Sequence, residues 1–245
     1  MTAVRMLFHV HTRASFDGMM SPASIIKFCR RHDIGVLAIT DHDTDATLEQ
    51  AATLAQRAGV RFIPAVEYNS TDGDIVGLFC HQPIQRVSGN ETIRQIHDAG
   101  GIAVLPHPAH GHRLANIDIS AVDLIEVFNA RCGTRENEAA RELATRHGKP
   151  VIAGADAHLP WDLNTCFNEL NIDDKTGEPA DDALRRALLG DMRIVIRRRS
   201  PFLSIPISQM IKAVKQRRPR LFFHQFLSIG KHYARAAFRG GRAHD

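Results

Sequence analysis

LFHVHTRASFD, residues Leu7 to Asp17, read together with AITDHDT, residues Ala38 to Thr44, decides how this chain folds. His9 and His11 stand two apart at the end of an apolar run, and residues i and i+2 of a strand point to the same face, so both imidazoles can reach one ion. Some thirty residues later a second apolar run, VLAIT, ends in Asp41, His42 and Asp43. Taken alone, a His-x-His pair is better explained by surface or satisfied core histidines. The repetition argues otherwise.

Working outward, Ser21-Pro22 opens a helix with Ser as its cap and Pro at its first position, and Ile25, Ile26 and Cys29 give that helix an apolar face. VLAIT reads as a strand buried on both faces, as in a parallel sheet. A helix over Leu48 to Ala58 leads through Gly59 to VRFIPAVE, which ends at Glu67, and the turn NSTDG precedes the strand DIVGLF. A helix over Thr92 to Ala99 leads to IAVLP and His107-Pro108; VDLIEVF ends at Asn129; a helix over about Arg135 to His147 precedes PVIAGADAH, which carries Asp156 and His158. Alternating strands and helices predict an α/β fold, either a parallel barrel or a doubly wound sheet. So many polar strand ends meeting on one face favour the barrel, whose chemistry lies at the strand C-termini. DDKTGEP, from Asp173 to Pro179, reads as a turn-rich excursion, DDALRRALLG as a late helix, and RIVIRRR as a final strand. The expected organisation is a catalytic domain over residues 1–199 and a basic, amphipathic helical extension over residues 200–245.

The chain has 245 residues, of which 44% are hydrophobic and 24% charged, enough to bury the core of one barrel. No run approaches the roughly 18 apolar residues of a membrane-spanning helix, and MTAVRMLF leaves no room for a signal peptide, so a cytoplasmic protein is expected. Cys29, Cys80, Cys132 and Cys166 form no Cys-x-x-Cys pair, which excludes a zinc knuckle and points to reduced, buried thiols. The net charge of +4 conceals an asymmetry: 13 of the 31 Lys and Arg lie from Arg193 onward against one acid, Asp245, leaving 18 basic and 26 acidic residues before it. An acidic body suits a site built around cations. The basic tail, with Leu221, Phe222, Phe223, Phe226 and Leu227 near helical spacing, suits a helix packed on the barrel, an anionic membrane surface or nucleic acid.

Imidazole nitrogens and carboxylate oxygens in one site suit Zn²⁺, Mn²⁺ or Fe²⁺. His9, His11, His42, His107 and His158 with Asp17, Glu67 and Asp156 are too many for one ion, so two or three divalent metals are implied. Paired metals are the usual device for phosphoryl transfer to water, with a metal-bound water as the catalytic group and a carboxylate such as Glu67 bridging the ions. No Gly-x-Ser-x-Gly elbow offers a side-chain nucleophile. Asp41 is expected to orient a ligand histidine from behind, and Asp43 to cap the next helix. Arg113 and His110, in the loop after His107, and Asn129 and Arg131, at and just past a strand end, are expected to contact substrate, Arg113 by a bidentate grip on phosphate.

FHVHTRASFDG, LAITDHDT, FIPAVEYNS, VLPHP and GADAH, in this order over about residues 4 to 170, resemble the successive motifs of the PHP (polymerase and histidinol phosphatase) family of metal-dependent phosphoesterases. The resemblance implies a distorted (β/α)7 barrel with a two- or three-metal site at the strand C-termini. It implies that His9, His11, Glu67 and Asp156 hold one ion, that Glu67 and His107 share a second, and that Asp17, His42 and His158 hold a third. One position departs: where many members have His at the start of the strand after the Glu motif, this chain has Asp74, so the second ion has a carboxylate there or one ligand fewer. The implied substrate is a small phosphorylated metabolite or nucleotide, or the 5′-phosphorylated end of an oligonucleotide, the last as in a 5′-3′ exonuclease. Two other classes compete. An amidohydrolase-type C–N hydrolase also begins with His-x-His but wants a lysine at a strand end, and a non-catalytic scaffold whose tail binds membrane or nucleic acid would be expected to have a damaged ligand set.

Overall fold

The computed structural model describes residues 2–173, 180–190 and 192–240. The elements are β1 (Thr2–Leu7), α1 (Pro22–Arg31), β2 (Ile34–His42), α2 (Leu48–Ala58), β3 (Arg61–Ser70), β4 (Gly73–Leu78), α3 (Gly89–Asp98), β5 (Ile102–Leu105), β6 (Leu124–Asn129), α4 (Thr134–His147), β7 (Val151–Gly154), β8 (Cys166–Ile172), α5 (Ala180–Leu189), β9 (Arg193–Arg197), α6 (Ser204–Lys215) and α7 (Pro219–Gly240). Local chemistry sets the ends of several. Ser21 caps α1, its Oγ accepting from the Ser24 N–H at 3.2 Å, with Pro22 in the first turn. Gly59 ends α2 and Gly148 ends α4, with φ of 69° and 59°, a left-handed conformation that glycine adopts without a Cβ penalty.

The strands lie in the order β7-β6-β5-β4-β3-β2-β1-β8-β9. β1, β2 and β3 are mutually parallel, as are β5, β6 and β7. The sheet then curls back on itself just beyond β1 and β7: the Ala155 and Ala157 N–H groups donate to Phe8 O and His9 O, each at 3.0 Å, and the His11 N–H donates to Ala157 O at 2.8 Å. Seven strands thus make a nearly closed barrel. Two features modify the expected alternation. β4 is antiparallel to both neighbours, because the Ser70-to-Gly73 turn is far too short for a parallel crossover. β8, a strand that the motif pattern did not reveal, runs antiparallel to β1 and carries β9 beyond the barrel. Of the predicted turn-rich excursion at 173–179, all but Asp173 lies outside the described residues.

Side chains alternate across the sheet with the strand period of two. Met6, Phe8, Val36, Ala38, Ile63, Ala65, Val76, Val104, Leu124 and Ile152 fill the barrel interior, while Leu7, Leu37, Ile39, Ile125 and Val127 pack outward against Ile25, Cys29, Ala51, Ala55, Ile93, Ile96 and Ala144 of the helices. Ala183, Leu184 and Leu188 of α5 join the inner cluster with Ile172, which pairs with Thr2 at the start of β1, so α5 plugs the end away from the strand C-termini. Each fully buried Leu, Ile or Phe contributes about 1.5–3 kcal/mol. That core holds the opposite rim rigid enough to carry a site.

Candidate metal centre

The rim is built by an unusual backbone. His9, His107 and Asp156, each just past the end of a barrel strand, have φ of 62°, 29° and 46°. Non-glycine residues seldom occupy this region, and each such residue costs about 1–3 kcal/mol unless its surroundings impose the conformation. Here the twist turns three side chains over the barrel mouth. Because β4 runs backward, its start lies at the same rim: Asp74 pairs with Asn69, two residues beyond Glu67 on β3.

Glu67 is the hub. Its Oε1 lies 3.3 Å from His9 Nε2 and 3.2 Å from His107 Nε2, and its Oε2 lies 3.4 Å from His11 Nε2 and 3.1 Å from His42 Nδ1. Asp156 Oδ1 stands 3.5 Å from His11 Nε2, and Asp17 Oδ1 lies 3.2 Å from His158 Nε2 and 3.6 Å from His42 Nε2. Four overlapping groups have ligand atoms within 4.8 Å of one another: His9, His11 and Glu67; His9, His107 and Asp156; Glu67, Asp74 and His107; His11, His42 and His158. Asp17 joins the last through its contacts to His42 and His158.

The donors have the chemistry of a cation site. Among the described residues, His9 Nε2, His11 Nε2, His158 Nε2, Glu67 Oε2 and Asp17 Oδ1 are buried without a hydrogen-bond partner, five of only six such atoms. A buried polar atom left unpaired costs about 1–3 kcal/mol, and five gathered among the metal-capable groups at the barrel mouth fit divalent ions. Burial would raise the Glu67 carboxyl, but the His9 and His42 charges hold it well below the usual carboxylate range. Burial would likewise lower His42 and His107, yet Glu67 and, for His42, Asp17 hold both up at about 9. His11, buried and beside His158 and His42, is pushed down to about 4 and is therefore neutral.

Behind these donors stands a carboxylate that the motifs did not flag. Glu126, fully buried on β6, accepts from His9 Nδ1 at 2.8 Å through Oε1; its Oε2 accepts from the His107 backbone N–H at 2.7 Å and from Asn129 Nδ2 at 2.9 Å. A histidine whose Nδ1–H is held by a carboxylate presents Nε2 as a fixed lone pair. The signal was a single acid inside the apolar run VDLIEVF. Asp41 acts further back: its Oδ1 accepts from the Thr12 N–H and from Ser15 Oγ, both at 2.6 Å, and Ser15 Oγ in turn takes the His11 Nδ1 at 3.2 Å.

Other residues fall differently from their expected roles. Asn129 is buried and committed to Glu126 and, at 3.2 Å, to Asp156 Oδ2, so it positions ligands. Arg113 is exposed and does not line the cavity over the centre; its N–H donates to Asp72 O. His110 does line that cavity, beside Glu136. Asp43 is not the cap of α2: Thr47 holds that position, while Asp43 Oδ1 accepts the Asn69 N–H at 2.8 Å. The cavity, about 780 Å³, brings Asp17, His42, Glu67, Asp74, His107, Asp156 and His158 together with Arg131. The Arg131 guanidinium reaches Asp156 Oδ1 at 3.8 Å and His158 Nδ1 at 2.6 Å.

Comparison with known proteins agrees with this geometry. The PHP domain profile matches residues 8–146 and the PHP-associated profile residues 134–189. An uncharacterized protein of Methanocaldococcus jannaschii is 34% identical over 139 residues, covering 50% of this chain and 80% of that one. The 5′-3′ exoribonuclease Rnm of Escherichia coli is 39% identical over 149 residues, 60% of this chain but 39% of the enzyme, and a 3′,5′-nucleoside bisphosphate phosphatase of Chromobacterium violaceum is 38% identical over 74 residues, 29% of this chain and 26% of the phosphatase. The chain thus spans well under half the length of these two enzymes. The crystal structure of PsfC from Pseudomonas syringae shares the fold, with a TM-score of 0.60 at 14% identity over 88% of this chain and 99% of that one. With the profile match running through the strands that carry His9, Glu67, His107 and Glu126, the chain belongs to the PHP domain family of metal-dependent phosphoester hydrolases.

Proposed function

We propose that the centre hydrolyses a phosphate monoester, with water as the attacking group and two or three divalent cations, Mn²⁺, Zn²⁺ or Fe²⁺, as cofactors. One ion falls to His9, His11, Glu67 and Asp156, a second to Glu67, Asp74 and His107, and a third to Asp17, His42 and His158. The observation that carries this reading is the set of five buried, unpartnered atoms, on His9, His11, Asp17, Glu67 and His158, at the barrel mouth. Bound at that point, the cations would neutralise phosphate oxygens and lower the pKa of water.

The chain's own residues supply the rest. Glu126 fixes the His9 ring, Ser15 backed by Asp41 fixes the His11 ring, and Arg131 and His110 face the cavity where a phosphate's outer oxygens would lie. Asp74 in place of a histidine gives the second ion a harder donor, which favours Mn²⁺ or Fe²⁺ there over Zn²⁺. A nucleotide or small phosphorylated metabolite fits the 780 Å³ cavity. A second reading, removal of 5′-phosphorylated nucleotides from an oligonucleotide end, draws support from the exoribonuclease similarity and the basic tail. The four cysteines, all free and buried, support a reducing compartment such as the cytoplasm. C–N hydrolysis has less support, since of the three barrel lysines Lys27 lies on α1 and Lys149 before β7, neither at a strand C-terminus, and Lys175 lies outside the described residues.

The test is to purify the protein, measure its metals by elemental analysis, and assay p-nitrophenyl phosphate, nucleoside monophosphates and a 5′-phosphorylated oligonucleotide with Mn²⁺ and Zn²⁺. Turnover that disappears in Asp156→Ala and His11→Ala is expected. Metal-loaded protein inert toward every phosphate ester would overturn the reading.

A further inference from the structure

Neither family profile reaches α6, yet that helix walls the cavity. Two of its stripes do different work. Ser204, Ser208 and Lys215 face the barrel: Ser204 Oγ donates to Asp162 Oδ1 at 2.6 Å, Arg131 Nη2 donates to Ser208 Oγ at 2.8 Å, and Lys215 Nζ donates to the carbonyls of Arg13, Ser15 and Gly18 at 2.8, 2.7 and 2.7 Å. Those three carbonyls belong to the loop that carries Asp17, so α6 is fixed in register with the metal centre.

The neighbouring stripe, Ile205, Gln209, Lys212 and Gln216, recurs at spacings of four, three and four, one face of a helix, and all four residues line the cavity together with Arg218. Lys212 Nζ sits 4.4 Å from the centroid of the Phe16 ring, which stacks at 4.5 Å and 7° on the His42 ring. A cation therefore stands one aromatic ring away from the imidazoles. Neither Lys212 nor Arg218 makes an ion pair among the described residues. Beside the carboxylates and imidazoles suited to cations, the cavity lining thus also carries ammonium, guanidinium and amide donors from α6 and the residues just after it. The second set is suited to an anion that a metal centre does not itself hold.

We propose that this face of α6 is the subsite for a second phosphate on the substrate, carried by the same molecule whose ester is cleaved. Lys212 and Arg218 supply the charge, and Gln209 and Gln216 supply amide donors. The inference rests on the phosphoesterase reading and adds to it a substrate class: compounds bearing two phosphates, whether a nucleoside bisphosphate or the backbone phosphate next to a 5′-phosphorylated end.

The experiment compares kcat/KM of the metal-loaded full chain on adenosine 5′-monophosphate, adenosine 3′,5′-bisphosphate and a 5′-phosphorylated dinucleotide, in the parent and in Lys212→Ala, Arg218→Ala and Lys212→Arg. For at least one two-phosphate substrate, Lys212→Ala and Arg218→Ala are expected to lower kcat/KM at least tenfold more than for the monophosphate, mainly through KM, with Lys212→Arg restoring most of the loss. The substrate that suffers identifies the source of the second phosphate. Equal losses on all three substrates, or none, would overturn the subsite while leaving the phosphoesterase reading intact. Absence of turnover on every substrate would overturn that reading instead. In that event calorimetric binding of adenosine 3′,5′-bisphosphate decides the subsite separately: weaker binding to Lys212→Ala than to the parent supports it, and equal binding overturns it.

Discussion

Glu126→Gln is the sharpest test of how the centre is held. The parent carboxylate accepts three hydrogen bonds: from His9 Nδ1 at 2.8 Å through Oε1, and from the His107 N–H and Asn129 Nδ2 at 2.7 and 2.9 Å through Oε2. An amide of the same shape has one oxygen and one NH2, so it cannot accept at both ends. If its NH2 takes the Oε2 position, it faces two donors, and two buried N–H groups lose their acceptor at about 1–3 kcal/mol each, a loss of about 2–6 kcal/mol in folding stability. If it turns the other way, the NH2 meets His9 Nδ1, which must then accept. The imidazole proton moves to Nε2, the atom aimed at Glu67, and that nitrogen is no longer a ligand. Stability then falls little, but metal affinity falls about 10- to 100-fold. Urea denaturation of the metal-free protein and calorimetric titration with Mn²⁺ or Zn²⁺ read the two outcomes independently. A variant matching the parent within about 0.5 kcal/mol in stability and within a factor of two in metal affinity would refute the reasoning, because no rotamer of the amide preserves both.

Two further outcomes follow from the same geometry. His42 and His107, held near 9 against about 6.5 for a free imidazole, are protonated at pH 7 in metal-free protein, and a cation must displace those protons. Their attraction to Glu67 contributes stability that is fully present below about pH 6.5 and is lost as pH rises through 9; apparent metal affinity runs the opposite way, climbing from pH 7 to 9. Calorimetry in buffers of different ionisation heat should record more than one proton released per chain at pH 7, and no release would contradict it. At Gly154 an added Cβ would run into Glu126 Oε1 and come within 3.0 Å of His9 Cβ, so Gly154→Ala is expected to cost about 1–3 kcal/mol and to weaken metal binding, both visible in the denaturation and titration just described. Unchanged values would show that Glu126 has room to move.

Periodicity made the donors legible. His9, His11, Glu67 and Asp156 each close an apolar run, and that is a one-dimensional signal for a three-dimensional rim. What lay hidden were partnerships across the chain. Glu126 looks out of place in VDLIEVF until His9, 117 residues away, takes its Oε1. The contact of Lys215 with the Arg13-to-Gly18 loop spans about 200 residues, and no local pattern announces it. β8 escaped because CFNELNI mixes buried Asn168 with apolar residues, its amide spent on Ala153 O and the Ala153 N–H. Asp43 carries a cap residue's chemistry, but its φ of 50° turns it away from the helix and toward the Asn69 N–H. Arg113 has the charge in the loop after β5 but lies outside the cavity, whereas Arg131, just past the C-terminal end of the neighbouring β6, reaches it.

The backbone bonds that close the barrel join Phe8, His9 and His11 to Ala155 and Ala157, and the donors are interleaved with them: His9 and His11 on one lip, Asp156 and His158 on the other. A cation shared between the lips would therefore be a rivet through the seam of the cylinder. Stripping it should unzip the wall along that single line, with the amides of His11, Ala155 and Ala157 exchanging with solvent before the staves on the far side of the ring loosen.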